Sequence, residues 1–298
     1  MERKISAHLE LQENEEHDIK KENLPAGEAL TFSPCNVISC FYEYPLKIIL
    51  PSSVSDVCCQ WCYPITFGGG LVEGDNVNIS VKLGEKCCLL MTTLSFPKVY
   101  CCENGLDSQH HTTYFISENS LLCVLPDPLV CFAKASYVQT ETFHLESSSN
   151  LVVLNWYTSG RYARGEQWDF SKLKSVSSIY INGKLKFKEA LNMRSVPTLS
   201  IKTAMKSYNI FGTCFVIGSY LNTMSRNLLE DLGKYSGYGE KRDPSTIFAI
   251  SPLYIDDNIL TGCLIRFVSE SVENTMKRIE TMLEPLYSTL GGNPFENK

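Results

Sequence analysis

The feature that most constrains this chain is an alternation of apolar and polar residues that recurs about every thirty residues. Val77, Ile79, Val81 and Leu83 are apolar, whereas the residues between them are polar. Successive side chains of a β-strand point to opposite faces, so this pattern predicts a strand with one buried face. A short polar turn and a second, continuously apolar run follow it, and together they form one repeating unit.

The unit occurs three times along the chain. Its polar turns and the apolar runs that follow them are 83–86 with 87–91, 117–120 with 121–125, and 147–150 with 151–154. A repeat of this length is typical of units that stack on one another. Beyond the repeats, Asn182-Gly183 suits the positive φ angles of a type I′ turn, which predicts a hairpin between 178–181 and 184–187.

Helical spacing appears only in the last third of the chain. One predicted helix ends near Gly233, and a second has Ser269 or Ser271 as its cap and is kinked or ended by Pro285. We therefore predict a mainly β protein of stacked or layered, β-helix-like sheets with two α-helices in the C-terminal third. The apolar positions that define the helices are Met224, Leu228, Leu229 and Leu232, and then Val272, Met276, Ile279, Leu283 and Leu286.

Residues 1–28 differ in composition from the rest of the chain. They carry eight acidic and four basic side chains, which accounts for most of the net charge of -6. Such a polar segment buries too little apolar surface to offset the entropy of ordering, so we predict an acidic, disordered tail over 1–28 and a single mainly β domain over 29–298. The nearly neutral remainder lacks a basic stripe, which argues against nucleic acid and membrane partners. With no secretory signal and no long apolar run, we expect a cytoplasmic protein.

The chain has thirteen cysteines. An odd count in a long chain favours reduced core side chains over a secreted disulfide framework. Cys59 and Cys62 have the spacing of half a metal site, but no second half follows, and strand positions three apart face opposite ways. We interpret them as core cysteines. Cys101 and Cys102 are better candidates for transient contact with a soft metal ion, although burial is favoured there too. The apolar runs predict that these further cysteines lie in the core: Cys87, Cys88, Cys123 and Cys131.

Residues 68–75 form a glycine-rich stretch of the kind that can surround a phosphate. No Lys-Ser or Lys-Thr pair follows, and the next segment is the alternating strand from Val77, which argues against nucleotide binding. We expect these glycines to allow close packing or a bulge in the sheet. The histidines lie outside any recognisable nucleophile signature, so the sequence gives no indication of nucleophilic catalysis.

If the repeats stack, the segments 96–100, 126–133 and 160–166 leave their strands on the same side of the molecule. Prolines and glycines at equivalent exits favour one composite surface, although ordinary turns between strands explain each of them equally well. Two hypotheses remain open for the acids near these exits. A stacked-β hydrolase or lyase acting on a polysaccharide would need them to converge, whereas salt bridges with nearby arginines need no catalysis. The acids are Asp75, Asp127 and Glu166, and the arginines are Arg161 and Arg164.

Taken in order, several short motifs resemble the urease accessory protein D family. The resemblance is specific across residues 41–190 and looser over the C-terminal third. Glu73 is a departure, because the family usually has glycine there. The motifs are Pro45-Leu46-Lys47, the stretch 68–75, Thr92-Thr93, Lys98-Val99-Tyr100, Leu125-Pro126-Asp127-Pro128, Phe132-Ala133 and the segment 160–166.

The resemblance implies a mainly β protein without catalytic activity of its own. In the family, such a protein joins apo-urease to a helical accessory protein, F, and a GTP-hydrolysing nickel chaperone, G, and nickel is thought to pass through it toward the urease active site. Nickel is then cargo in transit, and no tightly bound cofactor is expected.

A transit route needs oxygen ligands that release the ion readily. Our hypothesis is that Asp75 and Glu166, together with Glu73, line or gate such a path. The alternative is that Asp75 caps its own turn and Glu166 pairs with Arg164.

We expect partner contacts at the exits and near the last helix. The chain end around Pro294 and the apolar stripe of the last helix suit a helical partner, although the same stripe suits packing on the chain's own sheet. The side chains expected at partner interfaces are Lys98, Tyr100, Arg161, Arg164 and Arg266.

Overall fold

Strands dominate the computed structural model, which describes residues 5–14, 32–52, 57–196, 198–233, 245–255 and 259–296. The strands are β1 Ala7–Glu13, β2 Cys35–Tyr42, β3 Leu46–Ile49, β4 Cys59–Thr66, β5 Asn76–Leu83, β6 Cys88–Thr92, β7 Lys98–Val99, β8 Ser108–Ile116, β9 Leu121–Leu125, β10 Leu129–Cys131, β11 Ser136–Leu145, β12 Asn150–Thr158, β13 Lys172–Ile181, β14 Lys184–Arg194, β15 Ile210–Ile217, β16 Thr246–Ile255 and β17 Ile259–Ser269. The helices are α1 Ile201–Met205, α2 Asn222–Gly233, α3 Val272–Leu283 and α4 Tyr287–Leu290.

Two sheets share these strands. The first has the order β14-β13-β11-β8-β5-β1-β2, and the second has the order β16-β17-β15-β12-β9-β6-β4-β3, with β10 and β7 attached beside β12. Within the repeats the chain alternates between the sheets, so β5, β8, β11 and β13 stack in parallel in one sheet and β6, β9 and β12 stack in parallel in the other. This is the stacked, β-helix-like architecture that the repeat predicts.

The turns between the paired strands also stack. Lys86 and Asn119 occupy equivalent turn positions and both have positive φ, 52° and 56°. The backbone N–H of Lys86 donates to the carbonyl of Glu118 at 3.2 Å, which ties one turn to the next. The predicted hairpin is confirmed, because Asn182 and Gly183 both have positive φ and connect β13 to β14.

The two sheets differ in how their faces are covered. Inward-facing residues of β5, such as Val77 and Ile79, join a core between the sheets, and the outward-facing residues meet solvent. Every residue of β6, β9 and β12 is buried, because the outer face of their sheet is covered by a second core that includes the helices. That double coverage explains why these strands are apolar over most of their length and do not alternate.

Both long C-terminal helices are confirmed. The Ser271 side chain caps α3 by accepting from the backbone N–H of Asn274, and α3 gives way to a short 3-10 turn that contains Pro285. Ile279 and Leu283 pack in the core beside the second sheet, so the apolar stripe of α3 covers the chain's own strands. None of the helices in the described ranges combines the length and apolar character that a membrane crossing requires.

The prediction of disorder over 1–28 is wrong for Ala7–Glu13. This segment forms β1, which lies between β5 and β2, and the side chains of Ala7, Leu9 and Leu11 are fully buried. Apolar and polar residues alternate within β1, and the apolar ones bury one face of the strand. The acidic residues around β1 lower the mean hydropathy of the whole segment 1–28, which hides this alternation. Residues 1–4 and 15–28 of the predicted tail lie outside the described residues.

The cysteine predictions agree with the packing except at Cys101 and Cys102, where burial was favoured but Cys101 is exposed and Cys102 is half-buried. Cys59 and Cys62 are both buried, and they face opposite sides of β4, since Cys62 belongs to the core between the sheets and Cys59 to the core under the helices. The other cysteines expected in the core are buried as well: Cys87, Cys88, Cys123 and Cys131.

Candidate functional site

The three exit segments do form one composite surface. In the first exit, β7 pairs in parallel with β10 of the second exit, and β10 pairs in parallel with β12, where the third exit begins. Leu71, in the middle of the glycine-rich stretch, forms a bridge with Val99. We call this side of the molecule, made of residues 66–75, 93–107, 126–133 and 159–168, the exit surface.

A stack of side chains joins the exit segments. The Tyr100 ring meets the Phe132 ring edge-on, with centroids 5.1 Å apart, and its hydroxyl donates to the Gly68 carbonyl at 2.9 Å. The Arg161 guanidinium lies 4.0 Å from the centroid of the Phe132 ring, a cation–π contact. One residue from each exit is therefore fixed against the next.

Glu166 is held by Arg161, so the alternative that pairs Glu166 with Arg164 is wrong. Arg161 makes a two-pronged contact with the carboxylate, with its Nε 2.9 Å from Oε2 and its terminal nitrogen on Oε1. The arginine lowers the pKa of the Glu166 carboxyl. A 3-10 turn at 162–164 reverses the chain and leaves Tyr162 64% exposed and Arg164 exposed. The surface therefore displays two residue types that dominate many protein interfaces.

The glycine-rich stretch serves close packing, as predicted. Gly68 and Gly69 have positive φ angles of 78° and 77°, and a Cβ on Gly70 would lie 2.6 Å from the Lys98 carbonyl oxygen. Asp75 caps the same turn, because its carboxylate accepts the backbone N–H of Val72 at 2.9 Å. The Asp75 carboxylate is thus used by its own loop.

Glu73 organises the neighbouring loop of the exit surface. Its carboxylate accepts the backbone N–H groups of Glu103, Asn104 and Leu106 at 2.8–3.0 Å, and also the Asn104 side chain. These bonds lower its pKa to about 2. A glycine at this position could not hold the loop in this way, so the departure from the usual residue has a structural consequence.

A cavity of about 210 Å³ lies between the sheets beneath the exit surface. Leu94 and Ser95 belong to its lining and are exposed, so the cavity opens to solvent at the loop after β6. Lys98 lines the same region. The rest of the lining consists of apolar side chains and a group of buried polar residues.

Glu141 is a buried acid in the lining of this cavity, and our sequence reasoning missed it. Its carboxylate accepts from the Asn155 side-chain amide at 2.6 Å and from the Ser177 hydroxyl at 2.9 Å, and its side chain is 5% exposed. Burial raises its pKa, while these hydrogen bonds oppose the shift. The signal was present, because Glu141 shares the inward face of β11 with Tyr137 and Phe143 and therefore interrupts an apolar alternation.

His110 lines the same cavity one strand away. Its Nδ1 lies 3.3 Å from the Tyr137 hydroxyl, and burial with help from His111 lowers its pKa to about 4. The ring is therefore neutral at pH 7. Together with Glu141 it gives the cavity one nitrogen donor and one carboxylate.

Arg266 lies apart from the exit surface. It sits in the middle of β17, in register with Thr213 of β15, which is in register with Asn155 of β12. Its guanidinium binds the Glu189 carboxylate of β14 in the opposite sheet, with a 2.6 Å contact. Arg266 thus links the two sheets through an ion pair.

Each of the acids named in the polysaccharide hypothesis has hydrogen-bond partners of its own. Asp127 is 2% exposed and accepts the Thr93 hydroxyl at 2.9 Å, while Asp75 and Glu166 are bound within their own loops. Among the residues that the structure describes, no three His, Cys, Asp or Glu side chains are grouped closely enough to hold a metal ion.

Comparison with known proteins identifies the group to which this architecture belongs. Residues 34–297 match the family described as UreD urease accessory protein, and β1 precedes the matched range. Urease accessory protein D of Oryza sativa subsp. indica is 30% identical over 276 residues, covering 87% of this chain and 90% of the relative.

The similarity extends to another plant and to a bacterium. The protein of the same name from Arabidopsis thaliana is 30% identical, covering 86% of this chain and 94% of its own length. Urease accessory protein UreD of Anaeromyxobacter is 28% identical, covering 87% and 83%. This chain belongs to the UreD urease accessory protein family.

Proposed function

We propose that this chain is a non-catalytic urease maturation factor that joins apo-urease to the helical accessory protein F and the GTPase accessory protein G, and that nickel in transit passes through its cavity. The names of its relatives support the maturation role, since they are urease accessory proteins of plants and bacteria. The bridging and the route are our inferences from the exit surface and the cavity.

The observation that carries the proposal is the cavity that connects the exit surface with Glu141. A cavity of this size inside a protein is normally lined by apolar groups alone, because burying an unpaired charge costs free energy. Here a carboxylate, a neutral imidazole and amide groups lie beneath an opening to solvent. Imidazole and carboxylate groups both suit nickel as ligands. Among the described residues no three such side chains are grouped closely enough to hold the ion, so this lining suits an ion in transit.

This route differs from our first hypothesis for the ion path. Asp75, Glu166 and Glu73 lie on the exit surface, and each carboxylate already accepts hydrogen bonds from the chain itself. A role for these three residues in nickel transit stays a prediction. Glu141 is the carboxylate that we consider the main candidate for a transit ligand.

A co-expression experiment tests the route. Glu141→Gln keeps hydrogen-bond acceptance and removes the charge, and Glu118→Gln makes the same change at an exposed turn acid. With the cognate apo-urease and the other accessory proteins present, we expect nickel per urease active site to fall with Glu141→Gln and to stay at the native level with Glu118→Gln. Equal nickel content for both variants, at equal amounts of folded chain, would contradict the route.

A capture experiment tests the bridging. Tyr162 and Arg164 are exposed on the exit surface, whereas Lys184 is exposed at the opposite, hairpin end of the first sheet. We expect Tyr162→Ala or Arg164→Ala to weaken capture of urease or an accessory partner about tenfold, as expected for an interface hot spot. Lys184→Ala should bind as the native chain does. Unchanged capture by both exit variants would remove this surface from the interface.

A further inference from the structure

Two cysteines from different sheets meet beside the first stacked turn. Cys35 begins β2, and Cys87 directly precedes β6. The backbone holds the two segments together, because the N–H of Ser33 donates to the carbonyl of Lys86 at 2.9 Å. Cys35 packs against the core cluster that contains Cys87, and the Cys35 thiol donates to the Ser33 carbonyl at 3.3 Å.

The surroundings give the two sulfurs different properties. The neighbouring Cys87 side chain and the Cys88 backbone lower the pKa of Cys35, against the opposing effects of burial and of the Glu13 carboxylate. The same contact and burial raise the pKa of Cys87. Cys35 is partly exposed, whereas Cys87 is fully buried. Cys35 is therefore the nucleophile that solvent can reach, and Cys87 is a partner thiol already in place.

We propose that Cys35 and Cys87 form a dithiol that reacts with hydroperoxides and closes to a disulfide. The Cys35 thiolate attacks one peroxide oxygen, so that an S–O bond forms, the O–O bond breaks, and the leaving oxygen takes a proton and departs as water or alcohol. The Cys87 sulfur then attacks the Cys35 sulfenic acid. The S–S bond forms as the S–O bond breaks, and the proton of Cys87 leaves with the oxygen as water. Two thiols have lost two electrons, and the hydroperoxide has gained them.

The bond would connect strands of opposite sheets, since β2 belongs to the first sheet and β6 to the second. Two other cysteines provide internal comparisons. Cys59 and Cys88 are also in register with each other, but both are buried, so a peroxide has no access to them. Cys40 is exposed on the same strand as Cys35. Partial desolvation of its thiol raises its pKa, so Cys40 is accessible without being activated.

Peptide mapping of the purified full-length chain tests this proposal. The chain is treated with limiting hydrogen peroxide at pH 7, the free thiols are alkylated, and the digest is analysed by mass spectrometry. We expect a peptide that joins Cys35 to Cys87 with the loss of two hydrogens and is reversed by dithiothreitol. Loss of free thiol at Cys35 should be faster than at Cys40, since the pKa of Cys35 is lowered and that of Cys40 is raised, and the thiolate is the reactive form.

Matched variants separate the two steps. Cys87→Ser should leave the Cys35 sulfenic acid open to trapping by dimedone, and Cys35→Ser should abolish the link. Cys40→Ser should form the link at the native rate. Oxidation of Cys40 as fast as Cys35 in the native chain, or a link from Cys35 to another cysteine, would overturn the proposal without relying on the folding of any variant.

Discussion

Replacing Glu141 with glutamine and with leucine tests whether the buried polar group in the cavity holds the two sheets as the structure indicates. Glutamine retains an acceptor for the Asn155 amide and the Ser177 hydroxyl, which now donate to Glu141 at 2.6 and 2.9 Å. Leucine fills a similar volume but accepts nothing. Asn155 also donates to Ser177 at 3.1 Å, so leucine leaves one of the two donors without a partner. We expect Glu141→Leu to be less stable than Glu141→Gln by about 1–3 kcal/mol.

The comparison of Glu141→Gln with the native chain adds a dependence on pH. Burial raises the pKa of Glu141 in the folded chain, so its protonated form is favoured on folding. Below the unfolded value of about 4.3, both states are protonated and the native chain keeps its full stability. As the pH rises through the raised folded pKa, the native chain loses stability relative to the glutamine variant, by up to about 1.4 kcal/mol per pH unit. Above the folded pKa the difference is constant.

Urea unfolding followed by tryptophan fluorescence measures both effects, at several pH values from 4 upward. The free energy of unfolding of Glu141→Gln minus that of the native chain should increase with pH and then level off. A difference that does not change with pH, or a leucine variant as stable as the glutamine variant, would refute the reasoning about this group.

Three further changes test other parts of the fold. In Gly212→Ala the new Cβ would lie 2.3 Å from the Phe267 ring, so we expect a loss of about 1–3 kcal/mol in urea unfolding. Gly233→Ala should be tolerated, because among the described residues no atom outside its own helix and chain neighbours lies within 4 Å of the new Cβ. Ser271→Ala removes the cap of α3 and should cost about 1 kcal/mol in the same assay. The pKa of Glu73 is lowered to about 2, so the stability that its carboxylate gives to the 103–106 loop is present above the unfolded pKa near 4.3 and is lost as the pH falls toward 2. Hydrogen exchange of this loop should show the loss in the native chain and not in Glu73→Gln.

Local patterns predicted the architecture because the fold repeats them. Alternation in β5, continuous apolar runs in β6, β9 and β12, and the Asn182-Gly183 turn each have a direct geometric meaning. The segment Ala7–Glu13 was missed because its composition was judged together with the acidic residues that surround it. Its own alternation of buried Ala7, Leu9 and Leu11 carried the correct signal.

The site was harder to predict because its contacts depend on how the chain turns. Gly165, with φ of 82°, reverses the chain after the 3-10 turn and returns Glu166 to Arg161, a pairing that spacing alone does not reveal. Glu141 is visible in the sequence as an acid among the apolar residues of β11. The polar group that it forms could not be predicted, because Asn155 and Ser177, which donate to its carboxylate, belong to two other strands. The composite exit surface followed from the stacking, whereas the cavity beneath it did not.

The activity and nickel content of urease made with and without this chain show whether the chain acts in nickel delivery. Cognate apo-urease and the other accessory proteins are co-expressed with and without this chain, and urease activity and nickel per active site are determined on the purified enzyme. We expect both values to collapse without the chain and to return when it is supplied. Full activity and full nickel content in its absence would contradict the proposed role.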